Sequence, residues 1–340
     1  MATTPASALQ GTLPANAASS WQTNGAVSAI IAANGVVYLG GEFTSVRPPG
    51  ATAGSGEVPR TRLAAFNAST GALITSFNHN VNGAVKVLSM SADGQTLYAG
   101  GDFTTVDGVT RNRIAAFTAS TGALTSWNPN SNGRVSGIAA TASTVYVAGS
   151  FSTIGGRTAR RVAALSPSTG AALATFTTTP DNVVYQIALT PLGDKLYLAG
   201  AFLNVNGNPA HHAVAVVDTN TGTPLPFPAA SVIPPKTESC IVEAKSVKTD
   251  NTGVYFGVEG TGGGCFDGTF AANTADGSLR WQSRCLGATQ AVQPIGEILY
   301  TGAHSHDCAE DQSFDPDAFP EIGWAKGLSR HLLSRTVSGG

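Results

Sequence analysis

Short runs of alternating apolar and polar residues recur along this chain, and no stretch keeps a helical period. The clearest set begins with Val85-Lys-Val-Leu-Ser-Met, followed by an Asp93-Gly94 hairpin turn and Thr96-Leu-Tyr-Ala-Gly-Gly-Asp-Phe. A polar loop, Asp107 to Arg113, leads to a third strand at Ile114-Ala-Ala-Phe-Thr. Ser120-Thr-Gly122 is the next turn, and Ala123-Leu-Thr-Ser-Trp127 is expected as a fourth strand. Asn128-Pro-Asn-Ser-Asn-Gly133 then carries the chain to the next set. Four short strands per set predict a propeller blade.

The second strand marks the repeat. Tyr38-Leu-Gly-Gly-Glu-Phe, Tyr98-Ala-Gly-Gly-Asp-Phe, Tyr146-Val-Ala-Gly-Ser-Phe and Tyr197-Leu-Ala-Gly-Ala-Phe are close copies, and looser ones begin at Tyr255 and Tyr300. Self-similarity at this spacing predicts an array of one supersecondary unit. The fold expected is therefore all-β: a β-propeller of six four-stranded blades in one domain, 13–340, behind a flexible tail, 1–12. Residues from Gly11 through Trp21 to Gly25 are expected to supply the last blade's missing fourth strand and close the ring, which removes exposed edges. Seven blades is the competing count, if a further unit belongs to the ring. The small pairs after each Tyr are expected to let neighbouring blades approach. Trp127, Trp281, Phe77 and Phe176 are read as inter-blade packing, and the turn glycines Gly71, Gly122, Gly170, Gly222 and Gly277 as positive-φ positions.

Composition narrows the partners. Nineteen basic against twenty-one acidic residues, a formal charge of −2, provide no field for nucleic acid. No apolar run is long enough for a membrane helix; the best, Ala26 to Ala33, is expected as a buried strand. Met1-Ala-Thr-Thr-Pro has neither the basic start nor the apolar core of an export signal.

All four cysteines lie in the last two units. Cys240 and Cys285 each precede a first strand, while Cys265 and Cys308 follow the matching second strands. Of three connectivities the repeat selects Cys240–Cys265 and Cys285–Cys308. Each would close a loop of roughly 25 residues and contribute about 3 kcal/mol. Two disulfides imply an oxidising compartment, so a secreted protein is expected. The rival, a Cys/His metal cluster with His304 and His306, lacks the Cys-x-x-Cys spacing.

Tyr-x-Gly-Gly-x-Phe-Thr-x-Val, Arg-x-Arg-(Leu/Ile)-Ala-Ala-Phe, Ser-Thr-Gly-Ala-Leu and Trp-Asn-Pro-Asn together resemble the delta-sixty-type repeat of secreted bacterial β-propellers, over residues 21 to 340. That family is abundant in actinobacteria, is often joined to other extracellular modules and is largely of unknown function. Ala115 to Trp127 is also similar to blades of propellers that dock pyrroloquinoline quinone. The adjacent cysteines expected beside that cofactor are absent, so the likeness implies architecture without the chemistry.

Function is sought where the units differ. Second-strand loops are elaborated in unit one (Arg47 to Arg60), unit five (Gly260 to Gly268) and unit six (His304 to about Arg330). In a six-membered ring these three are consecutive, and loops on a rigid scaffold concentrate binding residues. The candidate ligand-binding residues are His304, His306, Asp307, Trp324, Asp267 and Arg60. Asp311, Asp315 and Asp317 could ligate Ca²⁺, although they do not match the calcium-loop template. A solvated acidic loop is the simpler reading. Arg62, Arg113, Arg161 and His331 are read as starting successive third strands, where they cap inter-blade carbonyls or pair with neighbouring acids.

No nucleophile motif, phosphate loop or zinc-protease signature appears. The expectation is a non-catalytic binding or scaffolding module, a monomer or part of a larger protein, that recognises extracellular polysaccharide or a surface protein and requires no cofactor. The alternatives are a glycoside hydrolase or lyase using acidic and His residues of 304–321, and a structural part of a surface or phage-like assembly.

Overall fold

The computed structural model describes residues 20–261, 265–284, 288–296, 298–303 and 328–332. The chain divides into two compact bodies, Ala18–Leu225 and a second that comprises Pro226–Gly340. Among the described residues the only helix is a 3-10 turn, Pro228–Val232, and no helix is long and apolar enough to cross a membrane.

Four antiparallel three-stranded sheets in the first body carry the repeats, beside smaller ladders formed by the loops. Repeat one contributes β1 (Val27–Ala33), β2 (Val36–Gly41) and β3 (Leu63–Asn67). Repeat two contributes β4 (Val85–Met90), β5 (Thr96–Gly101) and β6 (Ile114–Thr118). Repeat three has β7 (Val135–Ala140), β8 (Val145–Gly149) and β9 (Val162–Leu165), and repeat four has β10 (Val184–Leu189), β11 (Lys195–Gly200) and β12 (Val214–Asp218). In each, the tyrosine strand lies in the middle. First strands pack in series, β1 on β4, β4 on β7 and β7 on β10.

The second body holds a four-stranded sheet, β13 (Ile241–Thr249), β14 (Val254–Thr261), β15 (Gly268–Ala272) and β16 (Leu279–Ser283). Beside it lies a three-stranded sheet of β17 (Thr289–Ile295), β18 (Ile298–Ala303) and β19 (Leu328–Leu332).

Among the described residues a full fourth strand thus forms only in repeat five. In repeats one to four the segment touches the third strand at a single bridge, such as Phe117↔Leu124 or Val217↔Pro224. Thr118 N–H donates to Ala123 O and Thr125 N–H to Ala116 O, both at 2.9 Å, and the ladder then ends. Beyond it Trp127 packs on Tyr98 of its own sheet, with the rings tilted and 5.1 Å apart, and its indole N–H reaches Ser166 O in repeat three at 3.0 Å. Phe77 packs on Tyr38 at 5.4 Å and on Phe117 of the following repeat at 6.0 Å. Tyr146–Phe176 and Tyr255–Trp281 repeat the pairing within their sheets. In repeats one to four the aromatic turns inward beyond the single bridge, where the ladder has ended, whereas in repeat five Trp281 makes the same pairing from within the fourth strand, opposite Ala271.

The small residues have the expected packing reason. A Cβ on Gly40 would meet Val85 of the next repeat at 2.5 Å, and one on Gly100 would meet Val135 of the next repeat at 2.7 Å. Neither site has room for a methyl group.

Two expectations about the start of the chain fail. Strand β1 is not buried: Val27 is 38% and Ile30 66% exposed, because within its body only one face of its sheet meets another sheet. Nor does the segment 21–25 act as a fourth strand; Gln22–Thr23 pairs with Ser45–Arg47 of repeat one, and Trp21 packs on Phe66 at 5.8 Å. The rest of the expected closing strand lies outside the described residues.

Candidate functional site

The loops on which function was sought are held by a repeated latch. Asn24, Asn82 and Asn132 precede first strands, and each side-chain oxygen accepts two backbone N–H groups of the second-strand loop. Asn82 Oδ1 takes Thr104 N at 2.8 Å and Thr105 N at 2.9 Å; Asn24 does the same with Thr44 and Ser45, and Asn132 with Ser152 and Thr153. In repeat four the carboxylate of Asp181 takes Leu203 N and Asn204 N. The latch joins the connecting loop to the second-strand loop, so both emerge on one face. It meets backbone donors that the ladder leaves open. Sequence reading missed it, although Asn-Gly recurs before three first strands; the asparagines resembled ordinary turn residues.

Arginines perform a second repeated task. Arg62, Arg113 and Arg161 stand immediately before third strands in left-handed backbone, φ 67 to 69°, and Ala213 takes the same conformation in repeat four. One guanidinium nitrogen of each donates to a loop carbonyl: Arg62 to Val81 O at 2.6 Å, Arg161 to Ser150 O at 2.6 Å, and Arg113 to Asp102 O. His331 does not continue the series. It pairs with Leu299 inside β19, one residue after Arg330, which faces Tyr300. In repeat one Ala65 faces Tyr38, three residues after Arg62.

Of the candidate ligand residues, Arg60 is 4% exposed, and its guanidinium donates to Pro59 O at 2.7 Å and Thr75 O at 3.3 Å. Burial lowers its pKa. Arg111 repeats the arrangement on Thr110 O and Thr125 O. Asp267 accepts Gly260 N–H at 3.2 Å across the base of the glycine-rich strap. Beside it Cys240 and Cys265 are joined, with Cα atoms 5.5 Å apart, as the repeat spacing requires. His304, His306, Asp307, Asp311, Asp315, Asp317, Trp324 and the Cys285–Cys308 pair lie outside the described residues.

Near the strap, Glu243 and Glu259 face each other across β13 and β14, and Lys245 pairs with both, at 2.9 Å to Glu259. The Lys245 hydrogen bond holds Glu259 below the usual carboxylate range. An ionised carboxylate cannot serve as the protonated acid of glycoside hydrolysis. The acid after the paired glycines plays a similar part in the first body: Glu42 pairs with Lys86, and Asp102 with Arg134 at 2.7 Å, each bridging to the next repeat. Among the described residues, no group of three or more His, Cys, Asp or Glu could hold a metal ion.

Elsewhere on the loops, between repeats two and three, a cavity of about 320 Å³ is lined by Asn112, Arg113, Asn130, Ser131, Asn132 and Thr153.

Successive antiparallel sheets with a central tyrosine strand and interleaved aromatics are blades of β-propeller type. Residues 92–123 match a sequence model described as a β-propeller domain of unknown function, DUF5122. No curated protein matches the chain. Among solved structures, the computationally designed Ika8 protein superposes with a TM-score of 0.53 at 13% identity, covering 82% of this chain and 68% of its own. The WD40 repeats of RRP9 align at a TM-score of 0.45 and 10% identity, over 84% of this chain and 91% of theirs. The likeness to the designed protein concerns fold alone.

Proposed function

We propose that this is a secreted binding or scaffolding β-propeller that recognises extracellular polysaccharide through the elaborated loops of repeats five, six and one. Its ring has six blades and is closed by N-terminal residues, and catalysis is no part of its role. The observation that carries this reading is the anchored strap of repeat five. A glycine-rich loop is stapled at its base by Cys240–Cys265 and tied by Asp267 to Gly260 N–H, on a full four-stranded sheet. A loop fixed at its base loses less entropy when a ligand orders it. The disulfide also fits an oxidising, extracellular location.

A glycan-array assay on the intact chain and on a variant lacking residues 309–326, with Ca²⁺ and with chelator, tests the reading. Polysaccharide binding that is lost with the loop is expected; chelator sensitivity would assign Asp311, Asp315 and Asp317 to a metal. Absence of glycan binding under every condition would overturn the carbohydrate reading in favour of a surface-protein partner.

A further inference from the structure

We propose that the cavity between repeats two and three is a separate binding site for a carboxylated sugar, a single uronic acid residue. Its volume, about 320 Å³, stands at the lower end of the roughly 300–1,000 Å³ of small-molecule sites, room for one sugar ring. The lining has one guanidinium and no carboxylate. It also has no aromatic ring. A neutral sugar would find no stacking platform there, whereas a carboxylate would find donors.

Several lining groups are already engaged. Asn132 holds the latch, Ser131 Oγ donates to Gly133 O at 2.8 Å, and one Arg113 nitrogen donates to Asp102 O. Asn112 Nδ2 donates to Asn130 Oδ1 at 2.6 Å. That leaves the remaining fork of Arg113, the Asn130 amide nitrogen, Asn112 Oδ1 and the Thr153 hydroxyl for a ligand. Charge-assisted bonds from an arginine fork suit a carboxylate, while Asn112 and Thr153 suit ring hydroxyls.

The neighbouring repeats build this corner differently, with a side chain in the place that is open here. Asn80 N–H donates to Asp107 Oδ1, and Thr179 N–H to Asn206 Oδ1, each at 2.7 Å. Asn130 follows its aromatic by three residues, as Asn80 and Thr179 do, but the residue matching Asp107 and Asn206 is Gly155. The Gly155 N–H donates to Pro129 O at 2.7 Å, where Asp107 N–H donates to Asn80 O and Asn206 N–H to Thr179 O. A Cβ at Gly155 would meet Ala172 N at 2.5 Å, so no side chain fits. Asn130 has turned into left-handed backbone, φ 56°, which asparagine tolerates. Its N–H has no side-chain acceptor of this kind among the described residues. A ligand carboxylate supplies the oxygen that the sister repeats build in.

This site is independent of the loop reading above, and calorimetric titration of the full chain with D-glucuronate, D-glucose and acetate tests it. Glucuronate is expected to bind at least about tenfold more tightly than either control, since the fork and the hydroxyl partners act together. Asn130→Asp keeps the shape and the bond from Asn112 but adds a negative charge. It should weaken glucuronate binding about 10- to 100-fold with an unchanged thermal melt. Arg113→Gln should lose binding, while Arg161→Gln, which removes the same carbonyl cap outside the cavity, should retain it. Absence of glucuronate binding, equal binding of glucose or acetate, an unaffected Asn130→Asp variant, or equal loss in Arg161→Gln would each overturn the proposal.

Discussion

Repeats two and five solve the same problem differently. In repeat two the first and second strands part early: Gly101 lies under Ala84 O, and Asn82 latches onto the second-strand loop. In repeat five Val258 replaces that glycine and Ile241 stands where the asparagine would be, with 45% of its surface exposed. The ladder there continues without a break to Ile241↔Thr261, and a disulfide closes the end. A short loop can be held by one side chain that accepts two N–H groups. A longer strap needs a longer sheet and a covalent staple beneath it. The departure from the repeat is thus a support for what the loop carries.

The largest expected effect separates the two aromatic relays. Trp127 is buried and hydrogen-bonded across to repeat three, whereas Trp281 is half-buried. Trp127→Ala should cost about 3–5 kcal/mol in chemical denaturation, and Trp281→Ala clearly less. Equal costs would show that the relay does not distinguish the bodies. Next, Cys240→Ser with Cys265→Ser should remove about 3 kcal/mol. Peptide-resolved hydrogen exchange should place the loss in β13 and β14 and leave β4 to β6 unchanged.

Smaller effects sharpen the latch. Asn82→Ala strands two backbone donors and should cost about 1–2 kcal/mol, with faster exchange at Thr104 and Thr105. Ile241→Asn should change stability by less than about 0.5 kcal/mol, since the continuous ladder leaves no loop donors there to accept. The smallest effect concerns His211, which is 6% exposed with Nδ1 unpartnered. Burial, and then the neighbouring His212, push its pKa down, so the folded state favours the neutral ring. The unfolded chain therefore binds more protons, and stability should fall as pH drops below about 6.5. His211→Gln should flatten that part of the stability–pH curve; an unchanged slope would remove His211 as its source.

What was legible in the chain was whatever repeats with a distinctive side chain. The tyrosine strands, the glycine contacts at Gly40 and Gly100, the inward aromatics and Cys240–Cys265 all followed from pattern and spacing. The Asn24, Asn82 and Asn132 latch repeats equally well but is written in a residue common to every turn. The shortened fourth strands were misread because Trp127 fits a strand pattern and an inter-sheet wedge alike. The exposure of Ile30 depends on which sheets neighbour β1, and alternation carries no such information. Gly155 stands where repeats two and four carry Asp107 and Asn206, a difference without meaning until the repeats are superposed.

The central claim is that polysaccharide recognition belongs to the stapled, exceptional loops, for which the latched repeats serve as frame. Hydrogen exchange of the full chain, with and without the polysaccharide bound best on the array, tests it most directly. The account predicts slowed exchange in peptides covering 260–268 and 304–327, with little change in β4 to β6. Unaltered exchange in both loop peptides at saturating polysaccharide would contradict it.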